Sequence, residues 1–339
     1  MSPDAQQDFA LAFLSILFEG VPFILLGTLI SGFIDIYLPS GMMDRFLPKN
    51  KFLAVLMAGL LGAVFPVCEC AVVPVIRRLV KKGLPVSCAL TYMLAAPIVN
   101  PITALSTWKA FQGQDAAMMT GSRMLLGFLV AAVVGFIILK LPLSWVLQPK
   151  LVASLKNQTA ADEHHHTHHH SPCDHDHSCC GHDHHHHEPA NENRMVAAFR
   201  SALKDFTDVA VYFAIGVSIT ALFNTGIAPG AEWLDSIAHH AVGAPAALMM
   251  LAFVLSLCST SDAFVAATLD KFFWSAKLAF LTFGPMMDVK LIFLYQTVLK
   301  KSFIFLLAVG LFVGIGAVAI SWELSSRQSR GANPALQAK

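Results

Sequence analysis

Long apolar runs separated by short polar interruptions occupy most of the chain. The clearest runs, 9–36, 124–141, 206–223 and 302–322, are about 20 residues or longer, enough to cross a hydrocarbon core of about 30 Å. Shorter apolar pieces, broken at cysteine or proline, lie between them. The pattern predicts a long helix over 9–36, short helices over 52–66 and 71–80 interrupted at cysteines, a helix broken into 84–96 and 101–112, and a closing helix over 121–141. The same order follows in the second half: 206–226, then 244–257 and 262–272, then 276–284 and 287–299, then 302–322. The expected fold class is all-α: a polytopic membrane protein with two pseudo-symmetric halves and re-entrant or broken helices.

Three landmarks carry the internal repeat. Glu19 followed by Gly27 is echoed by Asp208 and Gly216. Cys68-Glu69-Cys70 is echoed by Cys258-Ser259-Thr260. Ala96-Pro97-Ile98-Val99-Asn100 is echoed by Gly284-Pro285-Met286-Met287-Asp288. Their offsets are 189, 190 and 188 residues. Proline-interrupted segments at corresponding places in two halves point to a transporter site near the bilayer midplane, because irregular backbone there must be buried in protein or line a cavity.

Basic residues suggest an orientation. Arg45, Lys49 and Lys51 follow the first helix, and Arg77, Arg78, Lys81 and Lys82 follow the cysteine segment. Both groups lie on one side only if 52–76 dips in and returns. The N-terminus and 112–117 then fall outside and residues 151–195 inside, so the second half starts inside and the repeats are inverted. Lys300 and Lys301 obey the rule, whereas Lys271, Lys277, Arg327 and Arg330 fall outside against it. Met1 to Asp8 has no basic region and is not read as a cleaved signal peptide.

Composition narrows the function. Of the 339 residues, 55% are hydrophobic and 13% charged, about half the charge of a soluble domain. The net charge of +1 offers no basic patch for nucleic acid. No phosphate-binding loop occurs, and no soluble stretch is large enough for a nucleotide domain. No nucleophile–base arrangement suggests an enzyme. The reading is a secondary transporter.

Candidate chemistry sits at the interruptions. Pro66 and Pro74 bracket Cys68-Glu69-Cys70 and disfavour a continuous helix; in an extended stretch residues two apart face the same way, so two thiolates converge. Thiolates select thiophilic ions such as Cu(I) and Zn(II), and Cys258 stands at the repeat position. Cys88 reads as a packing residue. Asn100 and Asp288 offer oxygens beside broken helices, with Met286 and Met287 as thioethers or packing. Glu19 and Asp208 lie within apolar helices, where ionisable groups are costly; they relay protons, hold a cation, or sit at the interface. Ser259, Thr260, Ser261 and Asp262 line the path or cap the next helix.

Between the halves, the stretch from Glu163 to Glu188 holds His164, His165, His166, His168, His169, His170, His175, His177, His182, His184, His185, His186 and His187, with Cys173, Cys179 and Cys180. Such a tract cannot build a packed core. It is expected to be disordered without metal and to capture or sense zinc or copper. No finger-type spacing marks one structural zinc site. His239 and His240 read as interfacial. The domains expected are a first membrane half over 1–150, the His/Cys-rich loop over 151–195, a second half over 196–325 and a tail over 326–339.

At Pro66-Val67-Cys68-Glu69-Cys70, Ala95-Ala96-Pro97-Ile98-Val99-Asn100-Pro101, Cys258-Ser259-Thr260-Ser261-Asp262 and Gly284-Pro285-Met286-Met287-Asp288 the chain resembles a bacterial permease family. That family contains the ArsP-type trivalent organoarsenical efflux permeases. The chain is most similar to the branch with a His-rich central loop, described as copper/zinc efflux transporters. The resemblance covers both halves and implies export of a thiophilic metal or metalloid across the bacterial inner membrane, with zinc or copper as substrate and no prosthetic group. Cys68, Glu69, Cys70, Cys258, Asn100 and Asp288 are the expected path, and Glu19 and Asp208 the expected proton couplers. Organoarsenical export and a non-transporting metal sensor or chaperone are the alternatives. The bilayer, and a metal chaperone at the loop, are the expected partners.

Overall fold

The structure is a computed structural model describing residues 3–37, 48–64, 67–149, 151–153, 194–227, 237–238 and 240–332. The His/Cys tract, Pro66 and His239 lie outside the described residues. Among those described, the chain is helical, with one antiparallel bridge between Leu147 and Leu299.

The first half contains α1 (Pro3–Tyr37), α2 (Lys51–Val64), α3 (Glu69–Lys81), α4 (Val86–Ala95), α5 (Pro101–Ala110), α6 (Ala116–Ile138) and the single turn α7 (Leu143–Val146). The second contains α8 (Arg194–Ile227), α9 (Gly243–Leu255), α10 (Ser261–Thr268), α11 (Trp274–Phe283), α12 (Val289–Tyr295) and α13 (Lys301–Ala332). Among the described residues, four stretches are long and apolar enough to cross a membrane: Gln6–Tyr37, Ala116–Ile138, Arg194–Leu222 and Lys301–Gln328. Their lipid faces are bare apolar surface, with Phe18, Val211 and Phe305 all exposed, and this is a polytopic membrane protein.

The shorter helices are arranged by what they touch. Thr91 faces Gly135, Ile98 faces Gly127 and Thr107 meets Arg123. The rod formed by α4 and α5 therefore runs antiparallel to α6, with its break at 96–100. Ser275 with Glu323 and Phe283 with Phe312 set α11 antiparallel to α13 in the same manner.

A helical hairpin follows from the next set of contacts. Gly59 lies against Thr91, and Gly62 against Ala96 and Val99, so α2 climbs alongside α4 and stops at the break. From Cys68, α3 descends beside α1, with Gly27 against Ala71, Ser31 bonded to Pro74 and Asp35 to Arg78. Four residues separate its end from the start of α4. The pair thus enters and leaves at one end of the molecule. In the second half, the stretch 256–260 between α9 and α10 meets the α11–α12 break, where the Val289 amide donates to Ser256 Oγ at 3.2 Å.

Helices α1 and α8 pack together over much of their length and run antiparallel, with Gly20 against Phe213 and Gly32 against Ala198 and Ala202. Where α1 ends and α8 begins, Arg78 joins three helices. Its guanidinium bonds Asp205 at 2.7 and 3.0 Å, Asp35 at 2.8 Å and Ser201 at 2.9 Å. The helix α8 starts twelve residues before the predicted 206, and α13 continues past residue 325. Their polar ends extend the helices beyond the apolar stretch.

Candidate functional site

The two cysteine-bearing tips meet. Cys68 caps α3 with extended backbone (φ −74°, ψ 166°), and Glu69 and Cys70 are the first two helical residues. This corrects the expectation that the whole Cys-Glu-Cys motif is extended: only Cys68 is. Pro74 lies inside α3 rather than ending it, and its missing N–H leaves the Cys70 carbonyl without the usual helical donor. Cys258 sits in the non-helical stretch between α9 and α10, and its carbonyl accepts from the Ser261 and Asp262 amides at 2.9 and 3.0 Å. Cys68, Cys70 and Cys258 are free thiols. Together with Glu19, Glu69 and Lys290 they line one small pocket, walled by Gly20, Phe23 and Phe213 of the antiparallel pair α1 and α8.

The electrostatics centre on a residue that the sequence analysis passed over. Lys290, in the first turn of α12, places its ammonium 3.2 Å from Glu69 Oε1, 3.6 Å from Asp288 Oδ2 and 2.9 Å from the Ser256 carbonyl. Lys290 is 3% exposed and Glu69 1%. Among the described residues, Glu69 Oε2 and Asp288 Oδ2 have no hydrogen-bond partner. A second buried cation stands on the other side of the tips: Arg123 of α6 bonds both oxygens of Asp262, the Ser259 carbonyl and Thr107 Oγ1. Lys290 and Arg123 thus grip the Cys258 stretch at Ser256 and Ser259. A lone basic residue within an apolar helix was the available signal for both.

A family model described as "Predicted permease" matches residues 6–322, nearly the whole chain. The chain belongs to this predicted permease family. It is 35% identical to the UPF0718 protein YcgR of Bacillus subtilis (strain 168), over 87% of this chain and 90% of that one. It is 33% identical to a putative two-component membrane permease complex subunit of Streptococcus mutans serotype c, over 86% of this chain and 87% of that one. No solved structure matches.

Other expected site residues of the permease are spread more widely. Asn100 and Asp288 are both buried N-caps, accepting from the Ile102 and Leu291 amides at 2.9 and 2.7 Å. Neither lines the pocket, although Asp288 reaches it through Lys290. Glu19 lies at the pocket, where Ser261 Oγ donates to it at 3.1 Å. Asp208 is elsewhere, paired with Arg77 at 3.5 Å and half exposed. The antiparallel helices separate this pair, since Phe213 rather than Asp208 stands level with Gly20.

Met286, Met287 and Cys88 are buried in the apolar core. Asp262 is spent on Arg123. Among the described residues, no three His, Cys, Asp or Glu side chains stand together as a metal-holding group. The pocket gathers soft donors without presenting a finished coordination shell.

Proposed function

We propose that this permease exports a thiophilic metal ion, zinc(II) or copper(I), across the bacterial inner membrane, driven by an ion gradient. The observation that carries the reading is the convergence of Cys68, Cys70 and Cys258, from both halves, on one pocket. Thiolates suit these ions, and transient transport calls for weak, incomplete ligation rather than a closed structural site. The His/Cys tract supplies a capture element on the same chain.

The antiparallel pairing of α1 with α8, the first helices of each half, supports an inverted repeat. The end of α1, the end of α3 and the start of α8 meet around Arg78, so the basic groups at 77–82 and 194–204 share one face. By the positive-inside rule that face is cytoplasmic, and α8, which follows the His tract in sequence, starts there. In this reading Glu19, which lines the pocket, couples protons, while Asp208 pairs with Arg77 away from it.

A second reading, export of trivalent organoarsenicals, is favoured by one feature: the pocket's soft donors are sulfurs without imidazole, beside an ammonium that opposes bare cations. The Streptococcus mutans relative is named a complex subunit, and we extend to this chain the proposal of a second membrane component.

Everted membrane vesicles containing the permease are expected to accumulate zinc(II) or copper(I) when energised, and Cys68→Ser to abolish the uptake. Uptake of methylarsenite alone would favour the second reading; uptake of none of the three would end the proposal.

A further inference from the structure

We propose that Lys290 is a tethered counter-cation: in the empty permease its ammonium occupies the place beside Glu69 that the cargo ion takes, and the unloaded carrier reorients only with Lys290 back in that place. The inference rests on the metal-export reading above and deepens it by naming how loaded and empty states are kept distinct.

Three observations carry it. The Lys290–Glu69 contact joins α12 of one half to α3 of the other, at the pocket that holds the three thiols. Among the described residues, Glu69 Oε2 is buried and without a hydrogen-bond partner at that pocket. A carboxylate oxygen left so is costly unless a visitor satisfies it. Lys290 also has a second anchor, the Ser256 carbonyl at 2.9 Å, from which it can swing off Glu69 without losing every bond.

Charge compensation does the rest. Glu69 and Asp288 as carboxylates with Lys290 leave one net negative charge; without the ammonium both buried carboxylates lose the cation they share. Low-dielectric surroundings oppose moving such a site. A bound metal cation replaces the ammonium as their counter-charge, so a loaded carrier no longer needs it. Lys290 stays charged throughout, and no proton transfer is required of it.

The test compares two modes of transport in proteoliposomes of the full-length permease, with zinc(II), and in parallel copper(I), as the tracer. Exchange of internal for external metal uses only loaded carriers, whereas net uptake needs the empty carrier to return. Lys290→Gln is expected to lose net uptake at least tenfold and to raise the ratio of exchange to net uptake at least tenfold over wild type. Lys290→Arg, which keeps the charge, is expected to retain net uptake to within about tenfold. The double variant Lys290→Gln with Glu69→Gln restores the single net negative charge, and is expected to regain net uptake at saturating metal.

Undiminished net uptake in Lys290→Gln would overturn the proposal. So would loss of exchange and net uptake together with no recovery in the double variant, which marks a structural role. Wild-type protein that neither exchanges nor accumulates metal would instead sink the export reading itself, and this inference with it.

Discussion

Arg123 meets both carboxylate oxygens of Asp262, at 2.8 and 3.0 Å, and so fastens the closing helix of the first half to the second half's cysteine-bearing tip. Both side chains are nearly inaccessible. Removing one partner strands a buried charge, at a cost of about 3–5 kcal/mol, while replacing both with apolar groups of similar size is often neutral. Arg123→Met is therefore expected to lower the unfolding midpoint in detergent sharply, and Arg123→Met with Asp262→Leu to recover most of the loss. Equal midpoints for wild type and Arg123→Met would show that the pair does not hold the halves together.

The hydrophobic pattern predicted the helix order well because membrane helices announce themselves one segment at a time. The breaks at 96–100 and 284–288 were legible from proline within apolar runs, and the structure has α4 end at Ala95 and α11 at Phe283. Helix ends were less legible. The stretches 194–205 and 323–332 carry charged side chains yet are helical, because a helix does not stop where charges begin. The partners of buried charges were hidden for a different reason. Lys290 meets Glu69 across 221 residues of sequence, and no local periodicity reports such a pairing. The equivalence of Glu19 and Asp208 failed to predict equal surroundings, since antiparallel packing brings α1 and α8 together in a register that puts only Glu19 at the pocket.

Two neighbouring arginines should behave oppositely. Arg78 is largely buried and makes four bonds to Asp205, Asp35 and Ser201, whereas Arg77 holds a half-exposed Asp208 at 3.5 Å. Arg78→Ala leaves Asp205 buried without its main partner and is expected to cost about 2–3 kcal/mol. Arg77→Ala is expected to cost no more than about 1 kcal/mol. Thermal unfolding of the two variants side by side checks the ranking, and equal losses would contradict it.

At Gly27 the backbones of α1 and α3 come close together. A Cβ added there would lie 2.5 Å from the Ala71 carbonyl oxygen and 2.8 Å from its Cα, and backbone cannot yield as a side chain can. Gly27→Ala should therefore push the hairpin away from α1, destabilising by about 1–3 kcal/mol and reducing transport by displacing Cys68 and Cys70. Gly310, where an added Cβ meets nothing within 4 Å among the described residues, is the control. Alanine there should be neutral or stabilise slightly through its better helix propensity. Comparable destabilisation at both positions would mean that the close approach at Gly27 is not what matters.

The thiols themselves provide the most direct check on the pocket. Cys68 and Cys258 are half-buried at its wall, Cys70 is buried beside them, and Cys88 lies apart in the core. Maleimide labelling followed by peptide mapping is expected to mark Cys68 and Cys258 in the metal-free permease and to leave Cys88 unmodified. If these sulfurs bind one ion, zinc(II) slows labelling of both together, and Cys70→Ser weakens that protection at each although residue 70 is not the labelled site. Cys88→Ala should leave the protection intact. The coupling matters more than the protection, because a zinc ion held elsewhere could shield one thiol by blocking access. Only shared ligation makes loss of the Cys70 sulfur visible at Cys258, which belongs to the opposite half. Protection of Cys68 and Cys258 that is unaffected by Cys70→Ser would separate the two tips chemically and leave the pocket a packing defect between them.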